Sequence, residues 1–271
     1  MSAIVNVTGT LMNQQHSAYT LPEQPHPAQS ITSKTQAALS STRSVELPAF
    51  SLFSAGKIGR EATERFIDQQ FFKSYGAQHS EYMPWLLSMS QQGAISACAG
   101  IALAEDKCPL FLERYLPASI ETLVSECSGI SITRAQIAEV GNLAGSSFCG
   151  EHIGSSRLLY IVLASVLQEL GIQWMVFTGT GPLLNSLQRL GLEYSVLGHA
   201  DDSSLDETER KLWGSYYQYQ PRVVVAPLIS ANESIRKRAQ FASIRQHYVG
   251  EIAAMTCRLA KNAEPSRQLA R

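Results

Sequence analysis

The stretch "IQWMVFTG", residues 172–179, is a continuous apolar run of strand length with a helical pattern on each side. Its lack of polar–apolar alternation says that both faces are covered, which puts it in the centre of a sheet with helices above and below. Before it, "SSRLLYIVLASVLQELG" carries Leu158, Ile161, Val162, Ser165, Leu167 and Leu170 on one wide apolar face and closes at Gly171. After it, "PLLNSLQRLG" opens with a proline suited to a first helical turn and ends at a glycine. A helix, a buried strand and a helix in that order exclude a helical bundle and require a sheet with helices around it.

Strand patterns recur at "FSLFSA", "AISACAGIALAE", "TRAQIAEVGNLAG", "LEYSVLG" and "PRVVVAPL", while "CPLFLERYL" reads as a further strand or an edge. Helices are expected over "ASIETLVSEC", with Ser119 as its cap, and over "REATERFIDQQFFKSYGA", where Phe66, Gln70 and Lys73 share a face with Phe71 and Tyr75 near it. Asn232 is expected to cap one long basic helix running towards Ala260. The fold class is α/β (α+β), with helices and strands alternating around a mixed sheet. Residues 1–47, rich in Ser, Thr, Gln, Ala and Pro, hold no period and are expected to be disordered. A domain over 48–231 and a basic C-terminal helix and tail over 232–271 complete the expected organisation.

The formal net charge of −1 hides an asymmetry: residues 232–271 hold eight Lys/Arg against three Glu. Near neutrality overall argues against a nucleic-acid footprint, and leaves open a peripheral contact of the basic end with an acidic partner or an anionic membrane. In that segment Ile235, Ala239, Ala242, Val249, Ala253 and Leu259 fall near one face. The face is rich in alanine, so it reads as a helix docked on the domain, with an interfacial, membrane-active helix as the alternative. Five cysteines without a C-x-x-C pair fit neither a disulfide framework nor a zinc knuckle, so reduced thiols and a cytoplasmic location are expected. No export signal and no apolar run of the roughly 18 residues that a membrane span needs are read in the sequence.

In "AEVGNLAGSSFCG", residues 138–150, Glu139 interrupts an otherwise apolar strand, and Asn142 follows three positions later. Strict alternation would point these two side chains to opposite faces; a bulge at Gly141 would re-aim them. A buried carboxyl is costly and tends to mark a site, against the plain reading of an outward face on an edge strand. The strand runs into a Gly/Ser-rich loop and then the start of the strong helix at Arg157, where amides are available to a phosphate. Neither the phosphate-loop ending Gly-Lys-Ser/Thr nor the dinucleotide fingerprint is present.

The order of "RFIDQQFFKSYGA", "FLERYL", "AEVGNLA", a glycine-bearing turn, a long helix, "WMVFTGT", "LQRLGLEYSVLG" and "WGSYY" resembles the thermostable hemolysin family over roughly residues 60–230. More distantly it is similar to acyl-homoserine-lactone synthases and other members of the GNAT-type, acyl-CoA N-acyltransferase-like fold. Their central strand bears Glu-x-x-Arg-x-Ala where this chain has Glu139, Asn142 and Ala144. The resemblance implies a mostly antiparallel central sheet flanked by helices. It also implies transfer of an acyl group from an acyl carrier protein or coenzyme A thioester to a small amine acceptor, with no permanently bound cofactor. Glu139 is then the candidate base or amine anchor, and Gly141, Asn142 and Leu143 offer donors to the thioester. Gly154, Ser155 and Ser156 would hold the donor's phosphate, with Arg157 as a nearby positive charge, and Thr178 is a further candidate for binding the donor. The family turn Gln/Arg-x-x-Gly-x-Gly/Ala keeps only its middle glycine in "EHIGSS", and Glu151 would repel a pyrophosphate, which favours acyl carrier protein over coenzyme A. The asparagine at 142 replaces the arginine of the lactone synthases, so their S-adenosylmethionine acceptor is not carried over.

Further candidates are Glu113, between aromatics, as an ammonium ligand; Arg65, Phe66 and Phe71 on the helix that would cover the acceptor; and Tyr217, beside Tyr216, as a proton source for a departing thiolate. His199, Asp201 and Asp202 on one loop read as turn and cap chemistry rather than a metal site. No Gly-x-Ser-x-Gly elbow appears, and Cys149 has only His152 as a nearby base.

Overall fold

The computed structural model describes residues 47–78, 81–105, 108–145 and 153–263. The expected disorder of residues 1–47 and the roles of Cys149, Glu151 and His152 lie, apart from Leu47, outside these residues. A seven-stranded sheet runs in the order β1-β2-β3-β4-β5-β7-β6. Its strands are β1 (Ala49–Ser54), β2 (Trp85–Gln91), β3 (Ala94–Leu103), β4 (Ile137–Gly145), β5 (Trp174–Gly179), β6 (Ser195–His199) and β7 (Arg222–Pro227). Every neighbouring pair is antiparallel except β4 and β5, which run parallel and are joined through the helix α3 (Ile153–Glu169). The mixed sheet flanked by helices is thus the architecture expected from the sequence pattern, and its mostly antiparallel pairing is what the resemblance implies. β5 lies inside it, between β4 and β7.

Period two sorts the side chains into layers. Ala138 and Val140, Met175 and Phe177, and Val224 and Ala226 face one side and share a core with Leu159, Val162, Leu163 and Val166 of α3. The opposite side holds two separate clusters. Ile137, Val176, Val223 and Val225 pack there under Leu112 and under Ile120 and Val124 of α2 (Ile120–Ser128). Leu86, Cys98 and Ala144 pack under Ile67, Phe71 and Tyr75 of α1 (Arg60–Tyr75).

The buried stripe of α1 is Arg60, Thr63, Ile67, Phe71 and Tyr75. It follows the i, i+4 rule but is set differently from the expected face: Lys73 is exposed and Phe66 only half-buried. Gly76, at φ 65°, ends the helix, its amide donating to Phe72 O at 2.8 Å. The stretch "CPLFLERYL" is not a strand: Phe111–Tyr115 form one 3-10 turn, fixed by the Glu113 carboxylate, which accepts from the amide of Leu110. β2 and β3 form a hairpin whose turn residues, Gln92 and Gly93, both have positive φ.

The helix α4 (Gly181–Arg189) follows β5, and the short α5 (Glu207–Leu212), boxed by Asp206 and Glu209, precedes β7. The expected single basic helix is three: α6 (Leu228–Lys237), α7 (Ala239–His247) and α8 (Val249–Ala263). Asn232 does not cap it; the residue is buried inside α6, with Nδ2 donating to Leu228 O at 2.8 Å. Ile235, Phe241, Tyr248, Ile252, Met255 and Leu259 are buried in the core that α3 shares, so the segment is docked on the domain, but through a different face from the expected one: Ala239, Val249 and Ala253 are exposed. Each such buried side chain stabilises the docked state by about 1.5–3 kcal/mol.

Candidate functional site

The parallel β4–β5 ladder runs from Ile137 opposite Trp174 to Val140 opposite Phe177 and then stops. Past that point β4 stays with β3 as far as Gly145, while Thr178 and Gly179 of β5 pair with β7. The two strands therefore part just after Glu139–Val140, and a cleft opens at the middle of the sheet.

β4 also bulges there. Gly100 of β3 stands opposite Gly141 and Cys98 opposite Ala144, so Ala99 alone faces the two residues Asn142 and Leu143. The bulge lies one position beyond the expected Gly141, and its left-handed residue is Asn142, at φ 46°, a conformation asparagine tolerates better than most side chains. The extra residue inverts the alternation. Ala138 and Val140 face α3, but Ala144 joins the α1 cluster on the side of Ile137 and Glu139. Asn142 Oδ1 accepts from the amide of Met83 at 2.8 Å, which fixes the bulge to the segment before β2. The side chain of Met83 lies against Gly100 and Gly141, leaving no room for a Cβ at either.

A cavity of ≈ 380 Å³ opens at this junction, between the two clusters on that side of the sheet. Its walls come from the segment before β2 (Tyr82, Met83), the 3-10 turn and its approach (Leu110, Phe111), α4 (Leu183) and the aromatics Trp213 and Tyr216. Glu139 is part of the wall and is 2 % exposed; its Oε2 has no hydrogen-bond partner. Burial pushes its carboxyl up to about 7, against the opposing effect of the Leu112 and Phe111 amides at the start of the 3-10 turn; the negative charge of Glu113 adds to the rise. A carboxyl so poised exchanges a proton near neutral pH.

Of the residues singled out from sequence, Glu139, Gly141, Asn142, Leu143, Thr178 and Phe71 all line this cavity. Glu113 does not. It forms a two-point ion pair with Arg134 (Nη1 to Oε1 2.8 Å, Nη2 to Oε2 2.9 Å) and accepts from the amides of Ile120 and Leu110. Burial raises its pKa, but Arg134 and the two amides more than offset this and hold the carboxyl below its usual range. Its role is to fasten the 3-10 turn, not to meet an ammonium. Arg65 is exposed and Phe66 packs on the α1 cluster, both outside the cavity lining. Tyr217 stands behind the wall, its hydroxyl 2.6 Å from that of Tyr115, which does line the cavity. Burial raises the pKa of both phenols, so each is a neutral hydroxyl at ordinary pH.

Gly154, Ser155 and Ser156 fall in the first turn of α3. Arg157 turns away from the cleft: its guanidinium lies over the ring of Phe241, 5.6 Å from the centroid, in the C-terminal helical layer. Asp201 Oδ1 accepts from the amide of Ser203 at 2.8 Å and Asp202 pairs with Arg210, so both are engaged in local turn structure. Cys98, behind the bulge, is fully buried, and desolvation pushes its thiol up to about 12. Lining residues not anticipated from sequence, among them Glu81, Met83, Glu105, Leu110, Phe111, Tyr115 and Leu183, come from separate parts of the chain, loops, a 3-10 turn and α4, and carry no shared period. Of the aromatic wall, Phe71 and, in "WGSYY", Trp213 and Tyr216 were legible in the sequence.

Among solved structures the chain is similar to the acyl-homoserine-lactone (AHL) synthase LasI, at 14% identity and a TM-score of 0.46, over 67% of this chain and 90% of that one. It is likewise similar to TofI in an apo form, at 12% identity and a TM-score of 0.46, over 69% and 95%. FeeM, an N-acyl amino acid synthase from uncultured soil microbes, matches at 10% identity and a TM-score of 0.44, over 72% and 98%. At these distances no activity passes from those proteins to this one. Curated proteins give no sequence match. The family model described as "Thermostable hemolysin" matches residues 53–232, which include α1, all of the sheet past β1 and every described residue of the cavity wall, and the chain belongs to that family.

Proposed function

We propose that the protein is an N-acyltransferase that moves a fatty acyl group from a thioester, on acyl carrier protein or coenzyme A, to an amine in the cytoplasm. Glu139 carries the reading: a carboxyl in a central strand, nearly fully buried, with one oxygen unpartnered, on an apolar cavity where two strands part. A group with its pKa near 7 is matched to accept a proton from an amine at neutral pH.

In the proposed reaction the acceptor ammonium gives one proton to the Glu139 carboxylate, and the free amine attacks the thioester carbonyl carbon. A C–N bond forms and the carbonyl becomes a tetrahedral oxyanion; its collapse breaks the C–S bond. The second surplus proton on nitrogen passes to the leaving thiolate, so the products are an amide and a thiol, and Glu139 returns its proton to solvent. Leu103, Leu110, Leu143 and Leu183 would take the acyl chain and keep water from the ester. The arm of the donor would run through the cleft past Val140, along Gly141–Leu143 with Thr178 opposite, and its phosphate would meet the first turn of α3 at Gly154–Ser156. Acyl carrier protein is the favoured donor, because Glu151 precedes that turn in the sequence and its charge would oppose a pyrophosphate more than a single phosphodiester.

Direct action on bilayers has less to support it. Most large apolar residues of α6–α8 are committed to the core, Ile229 and Val249 being exposed, and no described helix is long and apolar enough to cross a membrane. Mass spectrometry of lipid extracts from cells expressing the wild type or Glu139→Gln tests the proposal. An acylated amine made only by the wild type is expected, and matching extracts from the two count against it.

A further inference from the structure

The cavity has a one-sided charge. Among the described residues that line it, the charged side chains are Glu81, Glu105 and Glu139, and none is Lys, Arg or His. Glu81 and Glu105 are exposed, at the rim, and neither has an ion pair among the described residues. Glu139 is within, 98 % removed from solvent by its 2 % exposure, with Oε2 unpartnered.

The nearby arginines are outside the lining and are already bonded to protein groups. Arg60 donates to Met83 O and Pro84 O and pairs with Glu64; Arg134 is held by Glu113 and Glu121 and donates to the carbonyls of Glu105 and Cys108; Arg114 pairs with Glu209 and lies over the Phe111 ring. A ligand carboxylate in this cavity would lose its hydration, meet three carboxyl groups and find no cation among the described walls. A ligand cation would find the opposite. It would meet acidic groups and a wall rich in aromatic rings, Phe71, Tyr82, Tyr115, Trp213 and Tyr216, a ring type that attracts positive charge.

We infer that the acceptor is a primary amine carrying a second positive charge and no free carboxylate: a di- or polyamine, or a basic amino acid whose carboxyl is esterified or amidated. The inference rests on the acyl-transfer reading of the same cavity. One amine meets Glu139 and is acylated; the other stays charged at the rim, by Glu81 and Glu105. An ordinary free amino acid is disfavoured by its own carboxylate.

The test uses the full chain, palmitoyl thioesters of coenzyme A and of acyl carrier protein, and four acceptors matched in length: 1,5-diaminopentane, lysine methyl ester, lysine and 5-aminopentan-1-ol. Thiol release and the amide mass give kcat/KM for each. The diamine and the ester should each exceed lysine at least tenfold, and the diamine should exceed the amino alcohol several-fold. In the Glu81→Gln/Glu105→Gln double variant the preference for diamine over amino alcohol should fall towards one. Transfer to lysine as good as to the diamine overturns the inference and leaves acyl transfer standing. Calorimetric binding of the diamine, with no thiol released from either donor, retains the cation site and refutes acyl transfer. Absence of both binding and turnover overturns the two together.

Discussion

The amide of Met83 donates a 2.8 Å hydrogen bond to Oδ1 of Asn142, joining the segment before β2 to the bulge of β4 across 59 positions of sequence. That bond places one wall of the cavity against the strand that carries Glu139. Asn142 meets two demands at once: a left-handed backbone at φ 46° and an acceptor for a chain segment that has left the sheet.

Asn142→Ala should therefore lose both, at a cost of about 2 kcal/mol in urea unfolding. Asn142→Gly restores only the backbone freedom and should recover roughly half of that loss. If the alanine variant proves as stable as wild type, the bulge is not held by this residue.

Gly100 and Gly141 are both needed for Met83 to lie where it does, but to different degrees. A Cβ at Gly141 would stand 2.4 Å from the mobile Met83 Cε, whereas one at Gly100 would stand 2.6 Å from Cβ and Cγ of Met83 and 2.9 Å from Asn142 Oδ1. Gly100→Ala should cost more stability than Gly141→Ala. Met83→Ala should rescue Gly141→Ala by more than additivity allows, as read in a double-mutant cycle.

The raised pKa of Glu139 sets a sign for stability against pH. With a folded value about 7 and an unfolded one about 4.3, the folded protein keeps a proton that the unfolded chain has released between those values. The stability this supplies is fully present below about 4.3 and lost as pH rises through about 7. The stability of the wild type relative to Glu139→Gln should thus fall by roughly 2–3 kcal/mol from pH 5 to pH 8. Urea unfolding of both proteins at the two pH values checks this, and an unchanged difference would mean a carboxyl that is ionised throughout.

Glu113 behaves in the opposite sense. Its carboxyl is held low by Arg134 and two amides, so its contribution is present above the unfolded value of about 4.3 and lost as pH falls below it. Glu113→Ala leaves Arg134, whose side chain is 11 % exposed, with Glu121 as its remaining carboxylate and frees the amides of Leu110 and Ile120. It should cost about 3 kcal/mol of stability at pH 7 in urea unfolding. A loss no larger than that of an exposed pair would contradict the fastening role.

Tyr115 lines the cavity and Tyr217 stands behind it, hydroxyl to hydroxyl. Tyr115→Phe should reduce kcat more than Tyr217→Phe, each removal costing about 1 kcal/mol of stability. A larger effect at Tyr217 on kcat would return it to the role of proton donor.

Much of the architecture was legible because it rests on burial, which leaves a period in the chain. The unbroken run at Trp174–Gly179 located the inner strand, and the apolar face around Val162 located its covering helix. β2 went unread because "WLLSMSQ" shows no clean alternation and its hairpin turn is Gln92–Gly93, not the Asn-Gly or Asp-Gly that announces such turns. Glu139 was legible as a charge in an apolar strand. The bulge was legible in kind, since two polar residues three apart cannot share a face without it, but its position at Asn142–Leu143 depends on pairing with β3. Glu113 looked like a site residue because its sequence neighbours are aromatic; its true partner, Arg134, lies 21 positions away and only the fold brings them together. The three C-terminal helices were hidden by a continuous basic pattern with no glycine or proline at Arg238 or Tyr248, where the helices end.

The central claim is that Glu139 takes a proton from an amine that attacks a thioester. Thiol release and amide formation by purified wild type and Glu139→Gln, followed from pH 5.5 to 8.5 with a palmitoyl thioester and a diamine, test it most directly. The account predicts a wild-type rate that exceeds the variant's by about 10²–10⁴ at pH 8, with the excess shrinking as pH falls below about 7, where the carboxyl is already protonated. A folded Glu139→Gln protein that makes the amide at the wild-type rate would contradict it.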